Sequence, residues 1–363
     1  MCCEVFRERE SIVVRFTTQG LIRAGGRLRR PALAVAAACA ALCAAGLALV
    51  PAGGAANASA ATAPANTAIQ ATLPPPASTL QQITNFGPNP TGLLMYLYVP
   101  QHVRPHPAVI VAMHYCGGTG PAFFGGTEFA SLADEYGFVV IYPSVTPGRA
   151  PYDCFDVSTP GALTHYGDSD PVGIVSMVHW AEENLHANRH QVFATGLSSG
   201  AMMTNVLLGD YPNVFAAGSI MSGVAFGCFA TTDGTLWNAD CANGLIDKTG
   251  QQWGDIVRGA YPGYHGPRPR VQIWHGTADT ILFYPNFSQE VKEWTNVLHA
   301  DLAYTDSPMP TWTHTVYVNR HGQVEVDAYS VAGEDHNLGF HFPDWAQYAI
   351  RFFGLTGDHG DHS

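Results

Sequence analysis

The residues best suited to chemistry sit in one short run, Thr195-Gly196-Leu197-Ser198-Ser199-Gly200, which has a G-x-S-x-G spacing. An apolar segment, Gln191–Thr195, precedes the motif, and a helix-forming run, Ala201–Leu208, follows it. Strand, tight turn and helix in that order expose a serine hydroxyl at the C-terminal edge of a sheet. The turn strains the serine backbone, and small residues two places to either side let neighbouring backbone pass closely. The N–H after the serine then points at the oxygen of an attacked carbonyl. Ser198 is the candidate nucleophile, whereas Ser199 lies one place off the glycine spacing.

A serine hydroxyl is a weak nucleophile until an imidazole takes its proton, and that imidazole needs an acid to fix its tautomer. With a serine on such a turn, the chain order is serine, acid, histidine, each on a loop after a strand. Asp279 is the first carboxylate beyond the strand-like run Arg270–His275, and His336 lies in the glycine-bounded turn Gly333-Glu334-Asp335-His336-Asn337-Leu338-Gly339. These are the candidate acid and base, with His341 as the alternative base. His275, beside Gly276, reads as structural. A second oxyanion donor is expected from the loop Met113-His114-Tyr115-Cys116-Gly117-Gly118, where the N–H of Cys116 or of its neighbour would face that of Ser199. Two such donors around a carbonyl make acyl transfer the natural reaction. The chain has no P-loop and no H-E-x-x-H motif, and neither a metal nor a cofactor is expected.

Alternating elements must position these groups. Pro107–Met113, Phe138–Tyr142, Gln191–Thr195, Phe215–Ser222, Arg270–His275 and Val324–Val331 read as strands. Helical spacing falls on Glu128–Tyr136, Pro171–Asn184, Ala201–Leu208, Phe287–His299 and Asp344–Phe353. Buried strands alternating with helices predict an α/β fold, a mostly parallel central sheet with helices on both faces. The turn-rich stretch Gly223–Pro269 reads as an insertion over the end of the sheet. One domain is expected over 79–355, after an Ala/Pro-rich lead-in at 61–78 and before a mobile tail at 356–363.

Of the 363 residues only 13% are charged, two are Lys (Lys248 and Lys292), and the formal net charge is −12. Such a chain lacks the basic surplus that neutralises phosphates, which argues against nucleic acid as a partner. Residues 1–60 combine a basic segment, the uncharged run Pro31–Val50 and A-x-A sites at Ala56–Ala58 and Ala58–Ala60. That pattern predicts a cleaved secretory signal peptide and an extracellular monomer with no membrane partner; a permanent anchor is the alternative. Four cysteines then remain, Cys116, Cys154, Cys228 and Cys241. An even number in an exported chain predicts two disulfides. Cys116–Cys154 and Cys228–Cys241 are favoured because each closes a local loop. Aromatic rings stack on sugars, so Trp237, Trp253, Tyr264 and Tyr284 are candidates for the cleft.

Over about Thr79 to Leu355 the chain resembles carbohydrate esterase family 1, the secreted acetylxylan and feruloyl esterases, and the related extracellular polyhydroxybutyrate depolymerases. The resemblance rests on EFASLADEYGFVVIYPSV (128–145), TGLSSGAMMTNVLLGDYPNVFAAGSIMSG (195–223), QQWGDIVRGAYPGY (251–264) and IWHGTADTILFYPNF (273–287). The acetylxylan esterases are most similar, because CFDVST (154–159) matches their typical C-W-D-V-S, with Phe155 in place of Trp. The resemblance implies the α/β-hydrolase fold, a triad of Ser198, Asp279 and His336, an oxyanion hole at Cys116 and Ser199, and a substrate-contacting Trp near Trp237. It also implies an esterified plant polysaccharide or other ester as substrate. Deacetylation of xylan is the favoured activity, with feruloyl esterase or short-chain polyester depolymerase as alternatives. A non-catalytic polysaccharide-binding protein is the alternative of another class, disfavoured by the intact Ser/Asp/His order.

Overall fold

The structure, a computed structural model, describes residues 78–149 and 152–357, and the backbone of two short strands nearer the N-terminus, β1 (Val5–Glu8) and β2 (Ser11–Val14), which pair antiparallel. Apart from that hairpin, Ser78, Thr356 and Gly357, the leader, lead-in and tail expected from sequence lie outside the described residues. The chain divides into two units, Met1–Ala68 and Ile69–Ser363, and the second holds everything described below.

Runs of apolar residues without polar alternation form strands buried on both faces. Four central strands fit this rule, with every residue buried: β5 (Val109–Met113), β6 (Val139–Ser144), β7 (Val192–Leu197) and β8 (Ala217–Met221). With β9 (Arg270–Gly276) and β12 (Val324–Val331) they make a parallel block in the order β6-β5-β7-β8-β9-β12. Antiparallel strands extend it at both edges. On one side lie β4 (Leu94–Tyr98) and β3 (Gln81–Ile83); on the other lie β11 (Trp312–Val318) and β10 (Leu302–Asp306).

Side chains alternate across the sheet and build two cores. Val109, Val111 and Met113 join one core, while Ile110 and Ala112 of the same strand join the other. The first core is covered by α3 (Asp170–Leu185), α4 (Ser199–Asp210), α6 (Gly250–Ala260) and α7 (Pro285–Leu298). The second is covered by α1 (Gly120–Gly126), α2 (Phe129–Tyr136) and α9 (Trp345–Phe352). Two short helices complete the set among the described residues, α5 (Ala239–Ala242) and α8 (Leu338–His341).

The six parallel strands coincide with the runs expected from sequence. The four antiparallel edge strands were not expected, and each hides its signal. β3 has three residues, β10 is exposed throughout, and the interior of β11 is largely polar or half-exposed. β4 reads LMYLY, so its inward and outward faces are both apolar. The insertion at 223–269 lies mostly against the helical flank. Its helix α6 starts on a capping box from Thr249 and Gln252 and buries Trp253, Val257 and Ala260.

Candidate active site

Ser198 sits between β7 and α4 with φ 56° and ψ −113°, a backbone conformation that costs a non-glycine residue roughly 1–3 kcal/mol. Its N–H is held by the Met221 carbonyl at 3.0 Å. The flanking glycines permit the turn. A Cβ on Gly196 would lie 2.4 Å from the Gly200 carbonyl carbon, and one on Gly200 would lie 2.2 Å from the Met113 oxygen. No larger residue fits either place without moving backbone.

The partner strands β9 and β12 are adjacent and parallel, with His275 opposite Ser330. Their C-terminal loops therefore emerge side by side. Ala278 N–H donates to the Glu334 carbonyl at 2.8 Å, and Gly333 N–H donates to Thr277 Oγ1 at 2.9 Å. Gly276 allows this approach, since a Cβ there would lie 2.3 Å from the Glu334 oxygen. The result is a continuous chain of hydrogen bonds. His336 Nδ1 lies 2.7 Å from Asp279 Oδ2, and His336 Nε2 lies 2.8 Å from Ser198 Oγ.

Asp279 is buried, yet richly supplied with donors. The N–H groups of Ile281 and Leu282 donate to Oδ1 at 2.9 and 3.0 Å. The Nε2 of His275 lies 3.3 Å from Oδ2 and donates also to the Leu282 carbonyl at 2.8 Å. Burial pushes the Asp279 carboxyl up, but hydrogen bonds from His275 and His336 outweigh it and hold the group well below the ordinary carboxylate range. An ionised carboxylate only accepts, so Nδ1 of His336 carries the proton and Nε2 is left to accept from the serine hydroxyl.

The loop after β5 faces this array. His114 at its start is buried, and burial pushes its imidazole down to about 4. The neutral ring accepts from Val145 N–H through Nε2 at 3.1 Å and donates from Nδ1 to the Tyr115 carbonyl at 2.6 Å. Two residues on, Cys116 lines the same cleft as Ser198 and His336. Among the described residues, no acceptor takes the N–H of Cys116 or that of Ser199. The cleft encloses about 730 Å³ between apolar walls of Leu197, Met202 and Leu282 and an aromatic rim of Tyr115, Tyr152 and Phe340.

Ser198, Asp279 and His336 are thus brought together, and the two disulfides Cys116–Cys154 and Cys228–Cys241 are formed. Trp237 reaches the cleft and is 41% exposed. The other aromatic candidates do not line it. Trp253 is fully buried in the helical flank, with its Nε1–H donating to Gln289 Oε1 at 2.9 Å, which corrects the expectation of a substrate contact. The hydroxyl of Tyr284 pairs with Ser330 Oγ at 2.8 Å, and that of Tyr264 donates to the Pro267 carbonyl at 2.7 Å. His341 pairs with Glu334 at 2.8 Å, away from the serine. Tyr115, Tyr152 and Phe340 were missed. Their signal was adjacency, since each lies within four residues of Cys116, Cys154 or His336. Phe155 is buried, with its ring centroid 4.7 Å from that of His114, and it is not among the residues that line the cleft.

Comparison with known proteins identifies relatives of the chain. Residues 93–237 match the family model described as Esterase PHB depolymerase. The probable acetylxylan esterase A of Aspergillus fumigatus is 41% identical over 285 residues, covering 77% of this chain and 74% of that protein. Feruloyl esterase B of Thermothelomyces thermophilus is 47% identical over 246 residues, covering 66% and 83%. Among solved structures, the acetyl xylan esterase from Aspergillus awamori superposes with a TM-score of 0.70 at 38% identity, over 77% of this chain and all of that one. The chain belongs to the acetylxylan and feruloyl esterase family and is a carboxylic ester hydrolase of the α/β-hydrolase fold.

Proposed function

We propose that this esterase deacetylates xylan through a covalent acyl-enzyme. Ser198 Oγ attacks the acetyl carbonyl while His336 Nε2 takes its proton. The N–H groups of Cys116 and Ser199 donate to the carbonyl oxygen as it becomes an oxyanion. Asp279 holds the imidazole in the required tautomer and stabilises the imidazolium. His336 returns the proton to the departing sugar oxygen, and the same imidazole then deprotonates the water that hydrolyses acetyl-Ser198. The observation that carries this reading is the 2.8 Å and 2.7 Å hydrogen-bond chain ending at a hydroxyl on the cleft floor.

Xylan is the proposed polymer because relatives bear the name acetylxylan esterase. A second reading, feruloyl ester hydrolysis, is favoured by the cleft itself. About 730 Å³ rimmed by Tyr115, Tyr152, Trp237 and Phe340 is far more than an acetyl group fills. We read residues 1–60 as an export leader, 61–78 as a lead-in and 79–355 as the esterase domain, acting outside the cell as a monomer. Two disulfides support an oxidising destination.

Purified enzyme and Ser198→Ala are assayed on acetylated xylan, methyl ferulate and 4-nitrophenyl acetate. Acetate release should dominate, and Ser198→Ala should lower kcat by about 10⁴-fold or more. Activity unchanged in Ser198→Ala would eliminate the mechanism, and faster turnover of methyl ferulate would select the second reading.

A further inference from the structure

Resting on the proposed oxyanion pair, we infer that the turn Tyr152–Phe155 is the device that positions both of its N–H donors, with the Ser199 hydroxyl as a positioning residue. The turn meets each donor's neighbourhood directly. On the Cys116 side it is tied covalently by the Cys116–Cys154 disulfide. The next residue, Gly117, donates its N–H to the Tyr152 carbonyl at 2.6 Å. On the Ser199 side, Phe155 N–H donates to Ser199 Oγ at 2.8 Å. Ser199 is fully buried, and this is the contact its hydroxyl makes among the described residues.

The turn is itself rigidly held. Tyr152 and Asp153 adopt φ 57° and 52°, a left-handed pair that side chains disfavour and that persists only where the surroundings enforce it. Arg149 supplies the enforcement. Its guanidinium donates to the Cys154 carbonyl at 2.8 Å and, through two bonds of 2.6 and 2.5 Å, to Asp170 at the start of α3. The same carboxylate accepts Asp156 N–H at 2.8 Å. The turn is therefore braced against α3 and clasps the loop after β5 with one end and the start of α4 with the other. Two donors from elements far apart in sequence need such a shared reference, because oxyanion stabilisation depends on donors fixed before the charge develops.

The test uses the purified enzyme, 4-nitrophenyl acetate, and three variants: Ser199→Ala, the disulfide deletion Cys116→Ala with Cys154→Ala, and all three substitutions together. Ser199→Ala should lower kcat by about tenfold, less than the 10²–10³ for outright loss of a donor, and leave KM within about twofold. The pH profile should not move, because the Asp279–His336–Ser198 chain is untouched. The disulfide deletion should act in the same direction. The combined loss should fall short of the product of the two, because both act through one turn. Thermal unfolding confirms that each variant is folded, and the two routes keep the test open if one is not. Values of kcat within twofold of wild type in both, a rise in KM with kcat intact, a displaced pH profile, or fully multiplicative losses would each overturn the inference. Ser198→Ala run alongside separates the cases. If it is inactive while Ser199→Ala is normal, only the positioning role falls; if it is active, the underlying reading falls.

Discussion

Asp279 and Glu290 are both buried carboxyls on one stretch of chain, yet they hold opposite charge states. Asp279 accepts two backbone N–H groups and faces two imidazoles, and it stays ionised. Glu290, on α7, accepts one bond from Asn205 Nδ2 at 2.7 Å, and its other oxygen has no partner among the described residues. Burial pushes it up to about 8. Glu293 one turn on is pushed well above the usual range by burial and by the charge of Glu290, against one backbone donor from Phe226. Desolvation acts on all three; the supply of donors decides which acid keeps its charge. The cleft edge keeps an anion that can answer an imidazolium, while the helical flank keeps protons.

The contrast is tested most severely by isosteric amides. Asp279→Asn should lower kcat by about 10⁴-fold on 4-nitrophenyl acetate, because the amide favours the wrong imidazole tautomer. Glu290→Gln should leave kcat within about twofold, since it replaces a group already neutral at pH 7. Comparable losses in the two would mean that the flank takes part in the chemistry, and would break the distinction.

Stability against pH gives a second, intermediate effect. Glu290 ionises at about 8 when folded against an ordinary 4.5, so the folded state binds the extra proton between those values. Its stabilising share is complete below pH 4.5 and is lost as pH rises through 8. Asp279 has the opposite sign: its share is present above its ordinary 3.8 and is lost as pH falls below that. Thermal midpoints should therefore decline by several degrees from pH 5 to 8 in wild type, and Glu290→Gln should make that decline smaller, leaving the like-signed shares of Glu293 and Asp210 in place. A midpoint rising with pH over this range would refute the assignment of protons to the flank.

The smallest effect separates two tryptophans. Trp237→Ala should raise KM on acetylated xylan a few-fold and leave the thermal midpoint in place. Trp253→Ala should cost about 3–5 kcal/mol of stability while the folded enzyme keeps its KM. Equal KM changes would return Trp253 to the cleft.

Much of this architecture was legible in the chain because it depends on neighbours in sequence. The Gly196-Leu197-Ser198-Ser199-Gly200 turn is dictated by clashes that any Cβ at its glycines would meet. The parallel strands are apolar runs long enough to be buried on both faces. The serine, acid and histidine followed from loop position after such strands, and the cysteines pair with their nearest cysteine in sequence, 38 and 13 residues apart. The edge strands escaped because an exposed strand such as β10 leaves no burial pattern to read.

What the sequence determined by itself was the set of reactive groups and the order of the elements carrying them, since steric limits and hydrophobic periodicity act over a few residues. Which aromatic faces the cleft and which buried acid keeps a proton was decided by the tertiary structure alone. Trp237 and Trp253 share one insertion, and Asp279 and Glu290 share one loop and helix, but their fates depend on partners up to 85 residues away, as between Asn205 and Glu290. Burial and donor supply are properties of the packed neighbourhood, and no local pattern encodes them.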